Sequence, residues 1–238
     1  ADLTTLHAST FHGGTLSENA FAVAVIPTTG EVCIGGQTQS TDLPVTAGAV
    51  QAASAGSFDG YVACFSDSLA TRTSSTYFGA TGVEVVYAMA FHPGLQRLVV
   101  AGDSSIGTLP GTAGNAQTAS GGSRYGFVST FDLTLGTADT TYAGGTLLDS
   151  AFVVAVDPAS GDILMAGETS GTVPGLDGAQ TVSAGGTDGF VMRFTASLAT
   201  RLHATLIGGA LNETIRDIAV DSLTGDVIVA GSTLSTTL

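Results

Sequence analysis

Short runs of apolar residues, broken by turn residues, return along this chain with a period of roughly 65 residues. The segment FHGGTLSENAFAVAVIPTTGEVCIGGQT begins at Phe11. It returns as YFGATGVEVVYAMAFHPGLQRLVVAGDS from Tyr77, as YAGGTLLDSAFVVAVDPASGDILMAGET from Tyr142, and as LIGGALNETIRDIAVDSLTGDVIVAGST from Leu206. Each copy predicts a first strand, at Phe21–Val25, Tyr87–Phe91, Phe152–Val156 and Arg216–Val220. Apolar residues crowd both faces of these runs, as in a strand covered on both sides. The fourth position is alanine every time, Ala24, Ala90, Ala155 and Ala219, which points to a crowded place where neighbouring copies converge.

A tight turn of Pro, Ser, Thr and Gly follows (IPTTGE, HPGLQR, DPASGD, DSLTGD). The second strand (VCIGG, LVVAG, ILMAG, VIVAG) ends at Gly36, Gly102, Gly167 and Gly231, where glycine admits a backbone angle or a close approach closed to other residues. A longer loop carries the recurring Pro44, Pro110 and Pro174 and the recurring Gln51, Gln117 and Gln180. The third strand (DGYVACF, YGFVSTF, DGFVMRF) sets Tyr61 with Phe65, Phe127 with Phe131, and Phe190 with Phe194 on one core-facing side. The fourth, Ala70–Phe78 in the first unit, is rich in Thr and Ser and reads as an outer edge strand facing water.

Four strands per unit, apolar within and polar without, predict an all-β fold: a β-propeller of four-stranded blades. The boundaries are a partial blade 1–10, blades 11–76, 77–141 and 142–205, and a partial blade 206–238. The opening ADLTTLHAST matches a fourth strand, and the last unit holds only two strands, so the ring is expected to be incomplete. The chain then reads as a processed or excised segment of a longer propeller, or as one completed by another chain.

The Gly-Gly starts (TFHGG, TYAGG, TLIGG), the acid that follows, AVDPASGDILMAGETS, the Gly-Ala-Gln step and DGFV-x-x-F together resemble the bacterial SBBP ("seven-bladed β-propeller") repeat family. Tyr125 replaces the Asp59 and Asp188 of the other units, and HPGLQR lacks the Asp that starts the turn in the third and fourth. The resemblance covers nearly the whole chain. It implies a propeller on an exported or cell-surface bacterial protein and implies no defined enzymatic activity.

Composition narrows the partners. The formal net charge is −14 and every basic residue is arginine, so nucleic acid and anionic membrane are poor partners. No apolar run reaches membrane-spanning length. The acidity leaves solubility or Ca²⁺ binding as readings. Cys33 and Cys64 face each other if the second and third strands pair; a disulfide and two free thiols both fit.

One acid recurs at a fixed place: Glu18, Glu84, Asp149 and Glu213, in the loop entering each first strand. Together they form either an axial ring of carboxylates for Ca²⁺ or for a basic or sugar ligand, or a set of turn caps, one per blade. Asp157 with Asp162, and Asp221 with Asp226, flank short turns, and Asp59 and Asp188 start third strands; all read as turn residues. His7 and His203 read as surface residues, and no histidine pair has metal-ligand spacing. His12 near Glu18 is the one hint of acid–base chemistry. No nucleophile elbow, phosphate loop or cysteine zinc motif is present.

The expected function is a non-enzymatic exported scaffold that binds protein or glycan through its long second-to-third-strand loops, without a cofactor. One alternative is a structural subunit of an extracellular fibre, sheath or layer, completed by neighbouring chains. A second is a metal-assisted hydrolase or lyase using the axial acids.

Overall fold

A computed structural model describes residues 4–105, 107–119, 121–145 and 147–238, and every regular element among them is a strand. The first sheet holds β1 (Glu18–Val25), β2 (Val32–Thr38), β3 (Asp59–Phe65) and β4 (Arg72–Phe78). The second holds β5 (Glu84–His92), β6 (Arg97–Ser104), β7 (Tyr125–Phe131) and β8 (Ala138–Ala143). The third holds β9 (Asp149–Val156), β10 (Ile163–Thr169), β11 (Asp188–Phe194) and β12 (Arg201–Ile207). The fourth pairs β13 (Glu213–Val220) with β14 (Val227–Thr233). Within each sheet the strands run in chain order and every pair is antiparallel.

Each first strand begins at the recurring acid, three residues before its expected start. It carries one extra residue against its partner, a bulge at Phe21, Tyr87, Phe152 and Arg216. The recurring glycine sits opposite the bulge. A Cβ on Gly36, Gly102, Gly167 or Gly231 would run into the carbonyl oxygen of Asn19, Val85, Ser150 or Thr214. The close approach, rather than a special backbone angle, selects glycine there; none of the four has a positive φ.

The fourth strand departs from expectation. Five of the seven residues of β4 are buried, and Ser75, Thr76, Thr140 and Thr141 are fully enclosed. The long loop of the same unit folds back along the strand's outer edge. Thr46 N–H donates to the Ser75 carbonyl, and Tyr77 N–H to the Gln51 carbonyl. The hydroxyls are satisfied internally, as where Thr76 Oγ1 meets Gln51 N at 3.1 Å. Polarity signalled internal bonding here, not contact with water. The opening segment likewise carries no strand at residues 4–17. The YFG, YAG and LIG signatures that open each repeat lie at the end of a sheet, because β4, β8 and β12 run to Phe78, Ala143 and Ile207.

The sheets pack face to face around apolar clusters. Phe78 of the first sheet lies against Phe127 and Phe131 of the second, at centroid distances of 5.4 and 4.9 Å. Phe190 and Phe194 fill the next interface with Val128 and Ala143. Ala24 and Ala155 pack against apolar clusters between sheets, whereas Ala219 is exposed, so the expected crowding holds at two of the four alanines. The turn between third and fourth strands repeats an unusual feature: Leu69, Leu135 and Leu198 take φ values of 58°, 55° and 60°. A left-handed leucine costs about 1–2 kcal/mol. Burial of Leu135 and Leu198 in the clusters offsets it, at about 2 kcal/mol per leucine. Cys33 and Cys64 oppose each other on β2 and β3 and form a disulfide.

Candidate functional site

The four recurring acids all accept the N–H four residues before them, and the three glutamates add a hydroxyl from the second strand. Glu18 accepts from Gly14 N–H at 3.2 Å and from the Thr38 hydroxyl at 2.7 Å. Glu84 accepts from Ala80 N–H at 2.7 Å and the Ser104 hydroxyl at 2.8 Å. Asp149 accepts from Gly145 N–H at 2.9 Å through one oxygen, and its other oxygen is buried without a hydrogen-bond partner. Glu213 accepts from Gly209 N–H at 2.7 Å and the Thr233 hydroxyl at 2.6 Å. Each glutamate thus staples the loop before a first strand to the end of the second, while Asp149 holds the loop alone. A carboxylate surrounded by N–H and O–H donors offers its lone pairs inward, and a cation would have to displace those donors. Among the described residues no three His, Cys, Asp or Glu side chains gather within metal-holding reach.

The shared N–H bond leaves different proton affinities. Burial pushes Glu84 up to about 6 against its donors, and burial also raises Asp149. Glu213 is held at about 2, first by the Gly209 N–H and then by the Thr233 hydroxyl.

The other candidates are also engaged. Asp157 receives the N–H of Ala159 at 2.8 Å, and Arg193 bridges Asp157 and Asp162 at 2.6 and 2.8 Å. Asp221 receives the N–H groups of Leu223 and Thr224, while Asp226 accepts from the Thr224 hydroxyl. Asp59 caps Ser54, Ala55 and Gly56; Asp188 accepts from Ala184 N–H. His203 is exposed beside Asp177 at 3.1 Å, and His7 is exposed. His92 is buried and links two sheets, its Nε2 lying 2.7 Å from the Gly161 carbonyl. His12 packs on Tyr61 and Phe65 at 5.4 and 5.7 Å. Burial, with Arg72 nearby, lowers it to about 4, so it is neutral at pH 7.

Two arrangements carry no signal in motif terms. The bulged residues lie side by side across the sheets. Phe21 meets Tyr87 at 5.8 Å, Tyr87 meets Phe152 at 5.3 Å, and the Arg216 guanidinium sits 4.2 Å over Phe152. Beside them, Asp103 accepts from the Ser150 hydroxyl at 2.9 Å, and Glu168 from Thr214 at 2.6 Å. These bonds tie β6 to β9 and β10 to β13, each a second strand to the next sheet's first strand, so this inner ladder reads as joinery.

The second arrangement faces water. Leu16, Leu147 and Leu211 each stand two residues before the recurring acid and are 61, 51 and 52% exposed. Leu148, Val182 and Leu234, in adjoining loops, are more than half exposed as well. The loops that present them are pinned: Leu16 N–H donates to the Ser40 hydroxyl at 2.8 Å and Leu211 N–H to Ser235 at 2.9 Å. Leucine at a fixed offset inside a polar loop is the sequence signal that marks this rim; only Gly82 breaks it.

No family profile and no curated protein matches the chain. Among solved structures, it is similar to Kuenenia stuttgartiensis hydrazine synthase at 11% identity and a TM-score of 0.46, over 84% of this chain and 40% of that one. It is also similar to Chaetomium thermophilum Sqt1 at 12% identity and a TM-score of 0.41, over 89% of this chain and 41% of that one. The chain therefore spans about two fifths of each. At this level of likeness neither neighbour assigns a function.

Proposed function

We propose that this chain is a propeller-type scaffold of the exported SBBP kind that binds a protein partner through its leucine-bearing rim, without catalysis. The observation that carries the reading is the exposure of Leu16, Leu147 and Leu211 on hydrogen-bonded loops. Exposed apolar groups held on rigid backbone favour association, because little ordering entropy remains to be lost. The paired internal bonding of Glu18, Glu84 and Glu213 supports the non-catalytic part. The long loops, expected as the contact surface, spend much of their polar capacity on their own fourth strands, which moves the proposed contact to the rim. The cross-strand disulfide accords with an oxidising, extracellular setting.

Peptide display against the folded chain tests this. Selected peptides should lose at least tenfold in affinity for a Leu16→Ser, Leu147→Ser, Leu211→Ser variant whose circular dichroism is unchanged. Peptides that bind the variant equally well, or a library that yields none, would overturn the reading.

A further inference from the structure

The turn from first to second strand is capped by the side chain of its first residue in three of the four repeats. In the third, Asp157 Oδ1 accepts the N–H groups of Ala159 and Ser160 at 2.8 and 3.4 Å. In the fourth, Asp221 Oδ1 accepts those of Leu223 and Thr224 at 2.7 and 3.2 Å. In the second the acceptor is an imidazole. Leu95 N–H donates to His92 Nδ1 at 3.1 Å, over the same three-residue span as Ser160 to Asp157 and Thr224 to Asp221. His92 is 3% exposed, and its Nε2 meets the Gly161 carbonyl of the next sheet's turn at 2.7 Å. A backbone N–H can only donate and a carbonyl can only accept, so the arrangement requires a neutral ring with its proton on Nε2 and Nδ1 bare. The same turn departs from the others once more. Gly30, Gly161 and Gly225 take φ values of 75°, 77° and 77°, and Gln96 takes 52° in their place. A non-glycine residue in the left-handed region is strained, so this turn depends more on its cap.

We propose that His92 is an acid-operated release for the turn 93–96, opening it while the sheets stay joined. A second proton on the ring turns Nδ1 into a donor facing the Leu95 N–H, and the cap is lost. Nε2 still donates to Gly161, so the link between second and third sheets remains. The caps of Asp157 and Asp221 persist in mild acid. The Ala159 N–H for the one and the Leu223 N–H for the other are foremost in holding those carboxylates below their ordinary range. The charged groups of the surrounding elements make their bonds elsewhere. Arg97, opposite His92 on β6, pairs with Asp139 at 3.0 Å. Asp157 and Asp162, in the turn that holds Gly161, pair with Arg193 at 2.6 and 2.8 Å. Glu31, in the corresponding turn of the first sheet, accepts from the Thr29 hydroxyl at 2.9 Å. The device sits at the end of the second sheet opposite the leucine rim, and either can fail alone.

Nuclear magnetic resonance of the folded, nitrogen-labelled chain tests this. At pH 7.5 a nitrogen–nitrogen coupling across the hydrogen bond should join Leu95 to His92 Nδ1, with the ring proton on Nε2. Between pH 7.5 and 5 the coupling should vanish as the ring titrates. The protection factor of the Leu95 amide should fall at least tenfold, while those of Ala159 and Leu223 hold. A Glu84→Gln chain should show the same fall, because Glu84, which titrates in that range, starts the strand that His92 ends. A His92→Asn chain, with an acceptor that does not titrate, should keep Leu95 protected down to pH 5. A ring proton on Nδ1 at pH 7.5, a ring that stays neutral to pH 5, or unchanged Leu95 protection as the ring titrates would each overturn the proposal. An equal fall in His92→Asn, or none in Glu84→Gln, would assign the response to another group. If His92→Asn does not fold, the titration of the wild-type chain decides alone.

Discussion

At the scale of single residues, the repeat poses a test of why glycine is used. Gly102→Ala should cost at least about 2 kcal/mol, because its Cβ would meet both the Val85 carbonyl and the Phe127 ring. Gly48→Ala should cost about 1 kcal/mol, since only its φ of 82° opposes a side chain and the space around it is open. Urea unfolding of the two variants checks the order, and equal costs would remove the bulge from the explanation. Proton linkage gives a second test. Glu84 titrates near 6 when folded against an ordinary 4.5, so its share of stability is complete below 4.5 and is lost as pH rises through 6. The advantage of wild type over Glu84→Gln should therefore shrink between pH 4.5 and 7, as read from urea midpoints. At this scale the sequence was legible where a residue recurred. Glycine in four of four units announced a backbone constraint, left open between a special angle and a close approach, and the structure shows the close approach. The bulge beside it was not legible, since Phe21 and Tyr87 look like ordinary members of an apolar run. The acids were open between ligand ring and cap, because the donors that settle their bonding, such as Gly14 and Thr38, are distant in sequence or carried by the backbone.

Among the elements, the first sheet alone carries a covalent cross-link, closing a separation of 31 residues. Loop-closure entropy at that length is worth about 3–4 kcal/mol. Reductant, or the Cys33→Ser, Cys64→Ser pair, should lower the unfolding free energy by that order. An unchanged midpoint under reduction would show that the bridge constrains nothing. First, second and third strands were legible because their apolar periodicity is plain. The fourth strand misled, because Ser and Thr serve equally well in water and in an interior where a folded-back loop supplies partners. Ser74 illustrates it: its hydroxyl donates to the Leu133 carbonyl of the neighbouring sheet at 3.2 Å. Substituting Phe127, which is fully buried between two sheets, with alanine should cost about 3–5 kcal/mol. The exposed Leu147→Ser should change stability by less than about 0.5 kcal/mol. Thermal or urea unfolding separates the two.

For the whole molecule, the sheets are unequal. The second is covered on both faces by neighbours, whereas β14 is exposed at nearly every residue. Hydrogen exchange should be slowest in β6 and β7 and fastest among the strands in β14, with the difference exceeding tenfold. Uniform protection would mean that the stack opens as one cooperative unit. That repeats stack with shared interfaces was legible from periodicity alone. What the rim meets was not, because a partner leaves no period in a sequence.

The stapling carboxylates have one more consequence. Burial makes Glu84 and Asp149 hold their protons more tightly than free acids do, while the donors around Glu213 make it release its proton far more readily. One chemical group, copied along the array, thereby holds its proton according to whether burial or its donors weigh more. Isotope-edited infrared titration would read that spread directly, with Glu84 expected to keep its proton to a higher pH than Glu213.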